Sequence, residues 1–181
     1  MLAMVTKKIQ HVSVECVKGD IASQTDVEAV VNAANARLRM GGGVAGAIHR
    51  GAGSELTEAT REYAPIEPGE AVITPAFELP NDYVIHCLGP VYGRDKPEDE
   101  LLASCYRNAL SRAQANQIQS VAFPAISTGA FGYPMREAAE VALQTVFDEI
   151  EDQPQLTLIR FVLWSDRALE IHENTLEKLA H

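Results

Sequence analysis

Six of the twelve glycines fall between Gly41 and Gly53, in the stretch RMGGGVAGAIHRGAG. Gly41, Gly42 and Gly43 stand in a row, so no Cβ blocks a ligand from the backbone amides and φ > 0 is accessible. Val44, Ala47 and Ile48 then begin a helical pattern, whose first amides point at whatever the loop holds. A helix N-terminus of this kind binds anions with main chain and dipole alone. The stretch lacks the lysine of a GxxxxGK[ST] loop and is not a clean GxGxxG. The bland alternative is a turn that packs a helix on a sheet.

A second segment repeats the logic. The run VAFPAI passes into Ser127, Thr128, Gly129, Ala130 and Phe131, and a helical pattern follows Pro134. Hydroxyls, a small backbone and one apolar ring gather there. Two such loops, each at a strand's end and each opening a helix, predict a clamp on a diphosphate. Other residues fit a nucleotide. Asp20, with Ile21 beside it, follows the strand-like SVECV, as an acceptor for an exocyclic amine or as an Asx-turn. Trp164 ends the last strand, either stacked on a base or half-buried in the core. Asn32 and Asn35 read as turn residues or as groups that place sugar hydroxyls or a water. His49 reads as a packing or capping residue, or as a catalyst.

Strand signals lie at 12–17, 27–32, 71–74, 83–88, 121–126 and 156–164, several of them apolar at every position, as in a sheet covered on both faces. Helical spacing joins Leu101, Leu102, Cys105, Tyr106, Ala109 and Ala113, and more strongly Met135 through Ile150. Pro134 suits a first helical position, while Ser54 and Ser165 suit N-caps. Leu169, Leu176 and Leu179 would face inward. Alternating strands and helices predict an α/β layered fold with helices on both sides of the sheet. Ligands in such sheets sit at the carboxyl ends of strands.

The chain has 181 residues, a formal net charge of −10 and three cysteines. This length suits one domain, residues 1–181, that folds without disulfides or a structural metal. The acidic balance argues against direct, sequence-independent binding of nucleic acid or anionic membrane. No apolar run approaches the ~18 residues of a membrane span, and the N-terminus offers no secretory h-region. Cys16, Cys87 and Cys105 read as small buried hydrophobes in a reducing, cytoplasmic setting. His86 and Cys87 are adjacent in one strand and point to opposite faces, so no metal site is expected there.

GDI, VVNAAN, GGGVAGAIH and AISTGAFGYP occur in this order over residues 19–134, and the pattern continues to Trp164. The set resembles the macro domain family, in particular its MacroD-like branch with the bacterial O-acetyl-ADP-ribose deacetylases. The resemblance implies a three-layer α/β/α sandwich with a central mixed sheet, binding ADP-ribose without cofactor or metal. On it, Asp20 matches the residue that recognises the adenine amine, and Ile21 lines that pocket. Asn35 matches the asparagine on the distal ribose, with Asn32 supporting the turn. Gly42, Gly43 and Val44 match the first diphosphate loop. Ser127, Thr128, Gly129, Ala130 and Phe131 match the second, with Phe131 also near the distal ribose, and Trp164 lies against adenine.

One position departs from the pattern. MacroD-like hydrolases typically carry GGGVDGAIH, whose Asp has been proposed to activate water, and here that position is Ala45. Other macro domains that remove ADP-ribose from proteins also read GGGVAGA. The resemblance thus implies a hydrolase, slowed by about 10²–10⁴-fold for want of a base, that acts on O-acetyl-ADP-ribose or on mono-ADP-ribosylated protein carboxylates. Asn35 would hold ribose and water, with support from Asn32 and His49. The alternatives are a non-catalytic ADP-ribose reader and a phosphatase of ADP-ribose 1″-phosphate.

Overall fold

Five parallel strands make the middle of the protein, and each is buried because helices cover both of its faces. The computed structural model describes residues 5–180. The strands are β1 (Val5–Ile9), β2 (Val12–Lys18), β3 (Ala29–Ala33), β4 (Ala71–Pro75), β5 (Tyr83–Cys87), β6 (Ser120–Phe123) and β7 (Leu158–Leu163). They form one sheet in the order β1-β2-β7-β6-β3-β5-β4. β2, β7, β6, β3 and β5 run parallel, while the edge strands β1 and β4 are antiparallel to their neighbours. The sheet is therefore mixed, as the family resemblance implied.

Helices α1 (Gly43–Ala52) and α2 (Ser54–Thr60) cover one face, and α3 (Glu98–Ala115), α4 (Met135–Glu149) and α5 (Asp166–Leu179) the other. Alternation along the strands feeds both layers. Val31, Ile85, Phe123 and Phe161 pack beneath α3–α5, whereas Val30, Val84, Ala122 and Val162 meet Ile48 and Leu56 of α1 and α2. All three cysteines are buried.

Some boundaries move. β6 stops at Phe123 rather than 126, because Pro124 cannot donate to the ladder. β3 starts at Ala29, two residues late. Ser54 is the first residue of α2 and Gly53, at φ 89°, stands before it. Pro134 likewise sits one place ahead of α4. Ser165 caps α5 as expected, its hydroxyl accepting from Ala168 N–H.

Three histidines are buried neutral: His49, His86 and His172. Burial lowers each pKa, that of His86 from 6.5 to about 3, with His49 adding to the effect. Below pH ~6.5 the unfolded chain therefore binds more protons than the folded one, and stability is lost as pH falls toward the folded values. Asp26 and Asp95, whose carboxyls are held low by hydrogen bonds from Arg160 and the Val91 amide, titrate below this window. Glu173, half-buried and with its carboxyl pKa raised by burial, opposes the trend as one group against three. Thermal unfolding followed from about pH 7.5 to about pH 4.5 should show the melting temperature falling by several degrees. A flat profile would mean that these rings do not stay neutral in the fold.

Candidate functional site

The loops that leave β2, β3, β6 and β7 surround a cleft of about 820 Å³, within the usual range for small-molecule sites. One wall is the start of α1. Gly42 stands ahead of the helix without a side-chain cap, so the N–H groups of Gly43, Val44 and Ala45 lack intrahelical partners. Gly43 adopts φ 57°, a conformation that favours glycine, and nothing lies within 4 Å of where a Cβ on Gly42 or Gly43 would be. That space is the cleft itself. Gly46, one turn on, is crowded instead: a Cβ there would meet the Gly41 carbonyl oxygen at 2.5 Å. The loop lies directly on the helix because position 46 has no side chain.

The facing wall is the Ser127–Phe131 turn. Ser127 takes φ 70°, and its carbonyl accepts from Tyr133 N–H at 2.9 Å. Thr128 Oγ1 donates to the Ala125 carbonyl at 2.7 Å, pinning the turn from inside. Among the described residues, the N–H groups of Gly129, Ala130 and Phe131 donate to no protein acceptor. Ser127 Oγ is buried and unpartnered as well. Gly89 underlies this wall: a Cβ there would overlap the Ser127 hydroxyl.

Asp20 and Ile21 close one end. Asp20 Oδ1 accepts from Ala22 N–H at 2.9 Å, so the Asx-turn and the cleft position coexist in one residue. Its carbonyl accepts from Gln24 Nε2 at 2.8 Å, and Gln24 Oε1 in turn accepts from Arg160 Nη1 at 3.1 Å. Trp164 stands at the mouth, 80% exposed, and is no part of the core. Asn35 lies at the other end, its amide tied twice to Arg39: Nδ2 donates to the Arg39 carbonyl at 2.8 Å, and Oδ1 accepts from Arg39 N–H at 3.1 Å. Ala45 lines the cleft with its methyl, 5% exposed.

Two expected residues are not brought into the cleft. Asn32 has the same parity in β3 as Val30 and points into the α1/α2 layer, fully buried. Its Nδ2 donates to His86 Nδ1 at 3.1 Å, which leaves the proton on His86 Nε2 for Thr74 Oγ1 at 3.0 Å. His49 follows Ile48 into the contact between α1 and α2, where its Nδ1 pairs with Thr57 Oγ1 at 3.2 Å. Both residues brace the elements behind the site. Conversely, Arg50 and Gly89 line the cleft and escaped the sequence reading. For Arg50 a signal existed: Gly43, Ala47 and Arg50 recur at four- and three-residue spacing and share one helix face. His86 and Cys87 do point to opposite faces, toward Thr74 and toward the α3 layer.

A Macro domain family model matches residues 31–142. A macro domain-containing protein of Chlorobaculum tepidum is 47% identical over 167 residues, 92% of this chain and 96% of its own. The chain belongs to the macro domain family. The O-acetyl-ADP-ribose deacetylase of Salmonella typhimurium is 46% identical over 167 residues, 90% of this macro domain and 93% of the enzyme. The Oceanobacillus iheyensis macrodomain with ADP superposes with a TM-score of 0.92 at 40% identity, covering 98% of this chain and 96% of the other. The Trypanosoma brucei macrodomain in complex with ADP-ribose gives a TM-score of 0.83 at 34% identity, over 93% and 70% of the two chains. Among the described residues, no helix is long and apolar enough to cross a membrane.

Proposed function

We propose that this macro domain binds ADP-ribose in the cleft and hydrolyses the ester at its distal ribose, releasing ADP-ribose and a carboxylic acid. The observation that carries the reading is the pair of amide-lined walls facing each other across the 820 Å³ cleft. The uncapped start of α1 and the turn after Ser127 offer unpaired N–H donors from both sides, as a diphosphate requires. Arg50 is the one cation among the described lining residues. Asp20, held by the Ala22 amide and by Gln24, suits the adenine amine, with Ile21 and the exposed Trp164 indole for the ring. Asn35, with its amide fixed by Arg39, suits the distal ribose, with Phe131 beside it. The 46% identity to an O-acetyl-ADP-ribose deacetylase supports hydrolysis.

Water activation is the weak step. Ala45 can neither take a proton nor orient a water, and His49 is turned away. Attack must rely on Asn35, on the loop amides and on the substrate's own diphosphate. Ala45 is also the specific reason to keep a second reading, an ADP-ribose reader without turnover. Calorimetric titration with ADP-ribose, followed by incubation with O-acetyl-ADP-ribose and with a mono-ADP-ribosylated protein, tests both. Binding with no product from either substrate leaves the reader; no binding rejects the cleft altogether.

Asp20→Ala should weaken ADP-ribose binding by about 1–3 kcal/mol. Asp20→Asn separates recognition from folding, because an asparagine oxygen still caps Ala22 while its NH₂ faces the adenine amine donor to donor. Equal affinity in Asp20→Asn and wild type would remove Asp20 from adenine recognition.

A further inference from the structure

A second cleft, of about 670 Å³, shares with the first the loop that carries Asn35. Arg37, Arg39 and Arg61 line it, with Thr57 and Thr60 between them. Three guanidinium groups around one hollow stand out on a chain of net charge −10. Arg61 reaches Glu58 at 3.1 Å on the exposed rim. Among the described residues, Arg37 and Arg39 pair with no carboxylate.

The backbone that carries them is set in advance. Leu38 is fully buried and takes φ 56°. Its N–H donates to the Asn35 carbonyl at 3.0 Å, and its own carbonyl accepts from Thr60 Oγ1 at 3.0 Å. A buried residue fixed at both ends leaves its exposed neighbours, Arg37 and Arg39, on the cleft. The Asn35–Arg39 hydrogen bonds join this turn to the distal-ribose end of the first cleft.

We propose that the arginine cleft receives carboxylate side chains of the protein segment that carries ADP-ribose, so that acidic peptides are preferred over O-acetyl-ADP-ribose as substrate. The assignment rests on the function proposed above, since only an acyl group leaving the ribose past Asn35 is directed there. An acetyl group carries no carboxylate for the guanidinium groups to take up, whereas an acidic peptide does. Guanidinium forks match carboxylates in geometry as well as charge. An acidic chain needs such a local positive patch to dock an acidic partner against its overall field. Among the described residues, no aromatic side chain lines the cleft, and single-stranded nucleic acid relies on aromatic stacking; carboxylates therefore fit better than nucleotides.

The test uses synthetic peptides mono-ADP-ribosylated on one glutamate and flanked either by aspartates or by serines, with O-acetyl-ADP-ribose as the third substrate. For the double variant Arg37→Gln/Arg61→Gln, KM for the aspartate-flanked peptide should rise about tenfold, the scale of screened surface steering. The serine-flanked peptide, O-acetyl-ADP-ribose and the Kd for ADP-ribose should not change. In wild type, raising salt from about 50 to about 300 mM should erase the preference for aspartates. An equal rise for all substrates, or none for the acidic peptide, overturns the proposal. Loss of oligonucleotide binding in the variant with unchanged peptide kinetics also overturns it, in favour of nucleic acid. If wild type turns over nothing, the same comparison is read from calorimetric Kd values of the modified peptides, so failure of hydrolysis and failure of this assignment remain distinct.

Discussion

Ala45→Asp should raise the rate of ester hydrolysis by about 10²–10⁴-fold, the usual contribution of a positioned acid or base. The position has what a carboxylate needs. Ala45 is on the first turn of α1, where no acidic residue is present and no side chain caps the helix. A carboxylate there is favoured by the helix N-terminus by about 0.3–1 kcal/mol, so the variant should fold as well as wild type. The residue lines the cleft while remaining 5% exposed, close to the free amides and to Asn35. A new negative charge beside the bound diphosphate should also weaken ADP-ribose binding severalfold. Single-turnover rates with O-acetyl-ADP-ribose, set against calorimetric Kd values, separate the two effects. If the rate does not rise although ADP-ribose still binds, water is positioned without reference to residue 45, and the alanine is no handicap.

The difference between what the sequence disclosed and what it hid follows from how far apart the interacting residues are. Both amide-lined walls were legible because they are local: consecutive glycines or Ser-Thr-Gly, placed just after a strand and just before a helix, leave backbone N–H groups without partners. Asn35 was legible as a turn residue, but Asn32 was not separable from it by type. Strand phase separates them, since Asn32 alternates with Val30 and is buried, whereas Asn35 lies beyond the strand. His49 belongs with Ala45, Ile48 and Ala52 on a buried helix stripe and so faces α2. Strand β1 escaped because its alternation, Val5–Thr6–Lys7–Lys8–Ile9, is partly charged. The two-residue turn after it, Gln10–His11, also lacks the Asn-Gly signature of tight hairpins. The arginine cleft was hidden for a related reason. Arg37 and Arg39 read as a solvated loop until the burial of Leu38 and the approach of Thr60 fix where they stand.

Arg160 is the extreme case of long separation, and its replacement carries the other large expected effect. A charged residue inside the apolar run LIRFVL finds partners 134–145 residues earlier in the chain. Its Nε donates to Glu15 Oε1 at 2.6 Å, and its two terminal nitrogens donate to Asp26 at 2.6 and 2.7 Å. Asp26 is largely in water, its side chain 62% exposed, so that half of the cluster contributes little. Glu15 is buried beside β7, and Arg160→Met would leave its charge without a counter-ion. The expected loss of stability is about 3–5 kcal/mol, read from urea unfolding. The double variant Arg160→Met/Glu15→Met should recover most of that loss, because a neutral pair of similar volume has no desolvated charge to compensate. Function should not recover with it. Arg160 also holds Gln24, which holds the Asp20 carbonyl, so both variants should bind ADP-ribose more weakly than wild type at a temperature where each is folded. A double variant as unstable as the single would show that the bare Glu15 charge is not the cause. A double variant with wild-type affinity would show that Asp20 is held in place by its own turn, independently of the Arg160–Gln24 relay.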